Sequence, residues 1–397
     1  MRNRTGLIIL MFASVVAMMP NSVLFPAEGE LASHLHRSLG FVGWMVTAYA
    51  IAYVCATPVL GMISDFLGRK AVLVVGLCLF AIGGLVPIGF DNPVLILIGR
   101  CVMGVGSAGI QPMVDSMIGD MYPRGPARRR AFAFFAGAIA VAEAMMPFLG
   151  GVAAAIWWKA VFVLYGSAIL AALATVRLNI SKQGAEHDER ITYDAYVQSL
   201  RVAARMPVLA ATVLGAMVFG VIYFGISAMM PLAYGGAHTS LANGFLFLPL
   251  GFCWVVGAFI FAKVTHLRHL HRLVLCALLV LAGATWWLGD ARSWLPLLII
   301  SALWGAGSAV LTTVFTWVVG DESPNAVRGA MNGIYNAAYV LGFSVGAPLF
   351  ISLVHHVGLQ NACGMGAVLM ALFIPPLCLT YRQAAKVKAA PVNSLKA

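Results

Sequence analysis

The chain has 397 residues and a net charge of +11, and 61% of its residues are hydrophobic while only 10% are charged. Soluble globular domains carry about 25% charged residues, so the composition excludes that class. Every backbone polar group within a bilayer must be satisfied internally. The long apolar runs therefore predict membrane-spanning helices and exclude a barrel of short alternating strands.

Twelve apolar segments are long enough to cross a bilayer, for which about 20 residues suffice. We predict an all-α membrane protein of two six-helix bundles, over residues 1–176 and 209–381, with a cytoplasmic linker over 177–208 and a cytoplasmic tail over 382–397. The predicted spans are residues 6–27, 41–63, 71–90, 94–118, 131–155, 160–176, 209–233, 242–265, 271–289, 294–319, 329–353 and 362–381.

The basic residues predict the orientation of these spans. Of the 25 Lys and Arg residues, only Arg37, Lys159 and Arg292 fall in outer loops if the N-terminus is cytoplasmic, and Arg100 falls within a span. Cytoplasmic loops carry an excess of Lys and Arg, so this asymmetry predicts a multi-pass protein of a bacterial inner membrane with both termini cytoplasmic. It also accounts for the positive net charge without a nucleic-acid partner.

The two halves repeat one pattern in a single register. Gly104-Val-Gly-Ser-Ala-Gly-Ile in the fourth span matches Gly305-Ala-Gly-Ser-Ala-Val-Leu in the tenth, and Gly119-Asp120-x-x-Pro123 matches Gly320-Asp321-x-x-Pro324. Apolar helices that are alike by chance rarely keep one register through a loop. The repeat therefore predicts two related halves with a site near the membrane midplane between them.

The loop after the second span carries a motif. Its sequence, Gly61-Met-Ile-Ser-Asp65-Phe-Leu-Gly68-Arg69-Lys70, resembles the signature G-x-x-x-D-R-x-G-R-K of the major facilitator superfamily, with Phe66 in place of the usual basic residue. The resemblance implies an alternating-access transporter. In such a transporter, Asp65 would cap a helix N-terminus across the interface between the two halves, and Arg69 would pair with Asp120 at the cytoplasmic end of the fourth span. The predicted conformational latch comprises Gly61, Asp65, Gly68, Arg69, Lys70 and Asp120.

Ionisable residues inside spans are costly and usually functional. Arg100-Cys-Val-Met-Gly104 resembles the R-x-x-x-G signature of the fourth span in the same family. Glu143 lies near the middle of the fifth span, at a depth similar to that of Arg100, and a carboxylate there must be paired or protonated. We expect these two to face each other and to couple transport to protons, with Asp115 as a third coupling residue. Alternatively, Arg100 and Glu143 form a static structural ion pair, or the Arg100 side chain extends to the outer membrane interface. For Asp115 the alternative is a solvated carboxylate at the end of a helix.

The fifth span ends in Met146-Pro147-Phe-Leu-Gly150-Gly151, which resembles the antiporter signature G-P-x-x-G-G except that Met146 replaces the first glycine. The resemblance implies the branch of twelve-helix drug:proton antiporters, in which Pro147, Gly150 and Gly151 would lie on a surface that moves against the other half. Ordinary helix packing is the alternative.

Polar and aromatic residues at middle depth predict a large, weakly polar substrate cavity, which suits small hydrophobic or cationic compounds. We expect proton-coupled export by a monomeric transporter that is not an enzyme and needs no cofactor or metal. The alternatives are export of a metabolite such as a sugar, nucleoside or amino acid, proton symport, and a non-transporting membrane sensor. The predicted cavity residues are Asn21, Tyr49, Tyr223, Trp254, Trp304, Asn336 and Tyr339.

Overall fold

A computed structural model describes residues 2–122, 126–178, 206–233, 240–264, 270–323 and 328–389, with the single residues 198 and 201. Most of the predicted linker therefore lies outside the described residues. So do the side chains of some helical residues, among them Asp65 and Glu143.

Each of the twelve predicted spans lies on a helix or on consecutive helices, and the described ranges contain no strand. In the first half the helices are Arg2–Ala17, Met19–Ser22, Phe25–Ala27 (a 3-10 turn), Glu28–His34, Leu39–Leu67, Arg69–Gly89, Pro93–Ala108, Gln111–Met121, Pro126–Ile156, Ala160–Tyr165 and Ser167–Val176. In the second half they are Pro207–Met229, Met230–Leu232 (a 3-10 turn), Ser240–Val264, Leu270–Leu288, Trp294–Glu322, Arg328–Val357 and Leu359–Ala389.

Nine spans within the described residues are long and apolar enough to cross a membrane, or ten if a bent pair of helices in the first span counts as one. The bend, of 41°, lies between Arg4–Ala17 and Met19–His34. The fifth and sixth predicted spans contain shorter apolar helices, namely Arg130–Ile139, Met145–Ile156 and Ala160–Val176. The architecture is consistent with twelve spans.

Two spans are broken where the sequence predicts continuous helices. The first span breaks at Met18, just before Pro20, and continues past residue 27 to His34. The fourth span breaks at Gly109 and Ile110, just before Gln111-Pro112. Proline removes a backbone donor and clashes with the preceding turn, so a helix tends to restart at it. The break in the first span leaves the backbone O of Pro20 available to side chains of other spans.

Local sequence fixes the start of the fourth span. The Asn92 side chain accepts hydrogen bonds from the backbone N of Val94 at 2.9 Å and of Leu95 at 3.4 Å, and Pro93 occupies the first helical position. Such a cap contributes about 1 kcal/mol. It sets the register in which Arg100 points into the first half.

Buried hydrophobic side chains form two clusters. One contains residues from Leu7 to Leu178, and the other contains residues from Leu209 to Tyr381. Phe25 is an exception, because it belongs to the first half but is buried in the cluster of the second. Each half thus has its own packed interior, and Phe25 links the two.

The halves meet through two helix pairs, the second span with the eleventh and the fifth with the eighth. Thr47 Oγ1 donates a hydrogen bond of 2.6 Å to the backbone O of Ser344, and Gly43 packs against Pro348. These contacts lie at the helix ends that the sequence predicts to be outer. The predicted outer end is therefore closed in this structure.

Candidate functional site: a central cavity

A cavity of about 550 Å³ lies between the two halves. Its described lining comes from the first, second, fourth, fifth, seventh, eighth and eleventh spans. Pockets for small molecules usually measure about 300–1,000 Å³ and are mostly apolar with a few polar groups. No described residue of the tenth span lines the cavity.

Five of the seven predicted cavity residues do line it, namely Asn21, Tyr49, Tyr223, Asn336 and Tyr339. Trp254 and Trp304 do not, and here the sequence expectation needs correction. Both stand behind Tyr223, with ring centroids 5.4 Å and 6.1 Å away, and Trp304 is only 1% exposed. The sequence does not distinguish an aromatic residue that lines the cavity from one that packs behind the lining, because both occur in apolar spans.

Arg100 is 1% exposed and lies behind Asn21 and Tyr49. Its Nη2 donates to the backbone O of Pro20 at 2.7 Å, and its Nε donates to the backbone O of Met45 at 3.2 Å. The break in the first span makes the Pro20 carbonyl available. Asn21 Oδ1 lies 3.5 Å from the same Nη2. Arg100 therefore holds the first, second and fourth spans together beside the cavity.

Tyr165 completes this cluster, and sequence reasoning did not find it. Its hydroxyl donates to the backbone O of Pro20 at 3.0 Å, and its ring centroid lies 5.9 Å from Arg100 Cζ. The Tyr49 ring lies at a similar distance of 5.8 Å. Aromatic faces attract a guanidinium group, so both rings favour the charge of Arg100. A lone tyrosine in the sixth span gives no sequence signal for this role.

Glu143 lies on the helix Pro126–Ile156, four residues from Ile139 and four from Pro147. Both of those residues line the cavity. The side chain of Glu143 is outside the described part of the structure. Its pairing with Arg100 and its role in proton coupling therefore remain predictions.

Asp115 lines the cavity from the second helix of the broken fourth span, toward the predicted cytoplasmic end. It is the only charged residue among the described lining residues. Gln111, one turn earlier, also lines the cavity, and its buried Oε1 accepts no hydrogen bond from the described residues. Sequence reasoning passed over Gln111, although a glutamine within an apolar span is the signal that could have found it.

The predicted latch residues lie at the opposite end from the closed contact. Arg69 Nη1 forms an ion pair with Asp120 Oδ2 at 2.6 Å, which ties the third span to the fourth. Lys70 Nζ instead donates to the backbone O of Val176 at 2.8 Å and of Leu178 at 2.7 Å, at the end of the sixth span. Cations stabilise the carbonyls that end a helix.

The glycines of this motif occupy different settings. Gly68 has a φ of +85° between two helices, a conformation that side chains disfavour. Gly61 has open space around it. The side chain of Asp65 is not described, so its capping role and the latch as a whole stay predictions.

The antiporter-like motif lies where the fifth span meets other elements. Pro147 lines the cavity. A Cβ at Gly150 would collide with the backbone of Val23, and one at Gly151 would collide with the eighth span at Ser240 and Gly244. Small residues let helices approach closely in a membrane. Gly151 therefore lies in the contact between the two halves.

Comparisons with known proteins agree with this geometry. The Major Facilitator Superfamily model matches residues 10–288 and 268–396. The methylenomycin A resistance protein of Bacillus subtilis (strain 168) is 27% identical over 159 residues, which are 40% of this chain and 34% of that protein. The multidrug transporter protein MdtP of the same strain is 28% identical over 191 residues, which are 48% of this chain and 34% of that protein. The chain thus matches about a third of the length of these relatives.

Among solved structures, that of a D-xylose-proton symporter has a TM-score of 0.72 at 16% identity, covering 94% of this chain and 98% of that chain. Two helical bundles around a central cavity are the architecture of a multi-pass membrane protein. The chain belongs to the Major Facilitator Superfamily. Members of this family are transporters of small molecules and not enzymes.

Proposed function

We propose that the chain exports small hydrophobic or cationic compounds in exchange for protons. The observation that carries this proposal is the lining of the central cavity, which includes eight aromatic side chains and in which Asp115 is the only charged residue among those described. A wall of this kind offers dispersion contacts and cation–π attraction.

The relatives favour export among the alternatives. One is named for resistance to an antibiotic and another as a multidrug transporter. The resemblance of Pro147, Gly150 and Gly151 to the antiporter signature also favours export. The xylose-proton symporter shares only the fold at 16% identity, so it carries no argument for symport.

In the proposed mechanism Glu143 carries the proton. A carboxyl group at middle depth is stable when it is protonated or when it is paired with Arg100. Substrate in the cavity and exposure to water on alternate sides would shift the balance between these states. Asp115, nearer the predicted cytoplasmic end, would pass protons between the cavity and that side. The Arg69–Asp120 pair would latch one conformation.

We further propose that the protein acts as a monomer in a bacterial inner membrane with both termini in the cytoplasm. The excess of Lys and Arg in the predicted cytoplasmic loops supports this orientation. Cysteine labelling from either side of the membrane, with single cysteines at Arg37 and at Arg382, tests it. Arg37→Cys should react with an impermeant reagent from the outside and Arg382→Cys only from the inside.

Transport in inside-out vesicles tests the function. The purified protein is reconstituted so that its cytoplasmic face is outside, and a proton gradient, acidic inside, is imposed. A fluorescent lipophilic cation should accumulate in the vesicles, and collapse of the gradient with a protonophore should abolish accumulation. Accumulation that persists without the gradient would refute proton coupling. Its absence for every cationic and neutral compound of a broad panel, with a sugar or nucleoside accumulating instead, would refute the substrate class.

A further inference from the structure

The closed outer end depends on a short segment, residues 25–30, which we call the gate segment. It follows the break in the first span and crosses to the second half of the molecule. The ring of Phe25 is buried in the hydrophobic cluster of the second half, with its centroid 5.5 Å from that of Phe224 and 6.5 Å from that of Phe247. The gate segment thus inserts an aromatic side chain of one half into the other.

Polar contacts fix the gate segment to the start of the eighth span. The backbone O of Pro26 accepts a hydrogen bond from Asn243 Nδ2 at 3.2 Å, and Glu30 Oε1 accepts one from the backbone N of Ser240 at 3.3 Å. Any separation of the halves at this end must break these contacts and withdraw Phe25. The contacts between the gate segment and the second half therefore form in the closed state and are broken in an open one.

Glu28 lies between these attachments and is only 3% exposed. Its Oε1 is fully buried and has no hydrogen-bond partner in the described part of the chain. An ionised carboxylate is costly to bury without a partner, whereas the neutral acid is buried at much lower cost. The closed gate therefore favours the protonated form of Glu28, and hydration of an open gate favours the ionised form.

Within the described residues, no cationic side chain forms an ion pair with Glu28. His34 stacks on Trp158 with ring centroids 5.4 Å apart, and Lys159 forms an ion pair with Asp91 at 2.8 Å. The side chain of Glu143 is outside the described residues. The elements packed against the gate segment carry these titratable or charged groups: Glu30, His34, Tyr49, Tyr53, Cys55, Asp65, Arg128, Arg129, Arg130, Glu143, Tyr223, Cys253 and Lys263.

We propose that Glu28 is a protonation switch for the outer gate, which closes when the Glu28 carboxyl group carries a proton and releases that proton to outside water when it opens. The sign follows from the burial. A low outer pH favours the closed gate and a high outer pH favours the open gate. The switch operates without substrate and is distinct from the proposed coupling at Glu143.

Distance measurement across the outer end tests the switch. Spin labels are attached at Arg37→Cys and Val357→Cys, two exposed positions on opposite halves, in the full chain after replacement of the exposed cysteines Cys55, Cys78, Cys101 and Cys276. In vesicles, an increase from about pH 5 to about pH 9 should shift the distance distribution toward longer values. With Glu28→Gln, which is uncharged at every pH, the short distance should persist throughout.

Glu30→Gln is the matched control, because it removes the other acid of the gate segment while an amide oxygen can still accept from Ser240. It should keep the pH response of the parent protein. Thermal unfolding of each variant in the same detergent establishes that it is folded. A pH response in Glu28→Gln equal to that of the parent overturns the proposal. So does an open gate in Glu28→Gln at all pH values, or a distance that does not depend on pH in the parent.

Discussion

Gly151 of the fifth span and Gly244 of the eighth span pack directly against each other between the two halves. A Cβ added at Gly151 would lie 2.9 Å from the Cα of Gly244, closer than real side chains approach a backbone. The helix pair holds the outer end closed together with the second and eleventh spans. Close approach at this point therefore requires glycine and determines whether the outer end can close.

We predict that Gly151→Ala prevents full closure of the outer end and reduces transport by about tenfold, which corresponds to about 1.4 kcal/mol. Initial rates of uptake into vesicles measure this effect. Gly137→Ala on the same helix is the matched control, because a Cβ there meets nothing within 4 Å. Alanine favours a helix more than glycine does, so this control should retain transport. Equal rates in the two variants would contradict the role of Gly151.

We predict that Arg100→Lys destabilises the fold. The guanidinium donates to the carbonyl oxygens of Pro20 and Met45 from different nitrogens, and a single ammonium group cannot occupy both positions. Hydrogen bonds from charged groups contribute about 1.5–3 kcal/mol each, so loss of one should lower the unfolding temperature measurably. Thermal unfolding in detergent checks this. Arg177→Lys, at an exposed helix end, should leave the unfolding temperature unchanged.

We predict that the Arg69–Asp120 pair contributes to the rate of transport much more than to stability. Its side chains are 38% and 29% exposed, and pairs at such sites contribute about 0–1 kcal/mol to stability. Arg69→Ala and Asp120→Ala should each slow transport with little change in unfolding temperature. The exchanged pair, Arg69→Asp with Asp120→Arg, should recover part of the rate. A double variant no faster than either single one would exclude a latch formed by this pair.

Sequence reasoning identified the twelve helical segments because long apolar runs leave the backbone no alternative in a bilayer. It also identified Tyr49 and Tyr223, which line the cavity. It did not anticipate the break before Gln111, because helix continuity depends on how neighbouring helices satisfy the freed backbone groups. Trp304 was wrongly expected to line the cavity, because a buried aromatic residue and one that lines a cavity look the same in an apolar sequence. The gate segment was also missed, because the burial of Phe25 depends on contact with the other half.

We predict that Asp115→Asn reduces transport of cationic compounds more strongly than transport of neutral ones of the same size, because it removes a negative charge as well as a proton relay. Asp115 is the only charged residue among the described residues that line the cavity, so it provides the attraction for a positive charge there. Transport of a permanently charged dye and of its neutral analogue, compared in the same vesicles, measures the selectivity. A parallel loss for both compounds would assign Asp115 to proton transfer rather than to substrate recognition.

The central claim is that substrate export is coupled to protons through Glu143. Proton movement in vesicles, recorded with a pH-sensitive dye as lipophilic cations and neutral drugs are added, tests it most directly when Glu143→Gln is compared with the parent protein. We predict substrate-triggered proton movement in the parent and none in Glu143→Gln. Proton movement in neither protein, with substrate flux unchanged in the variant, would contradict the coupling and leave Glu143 a structural role.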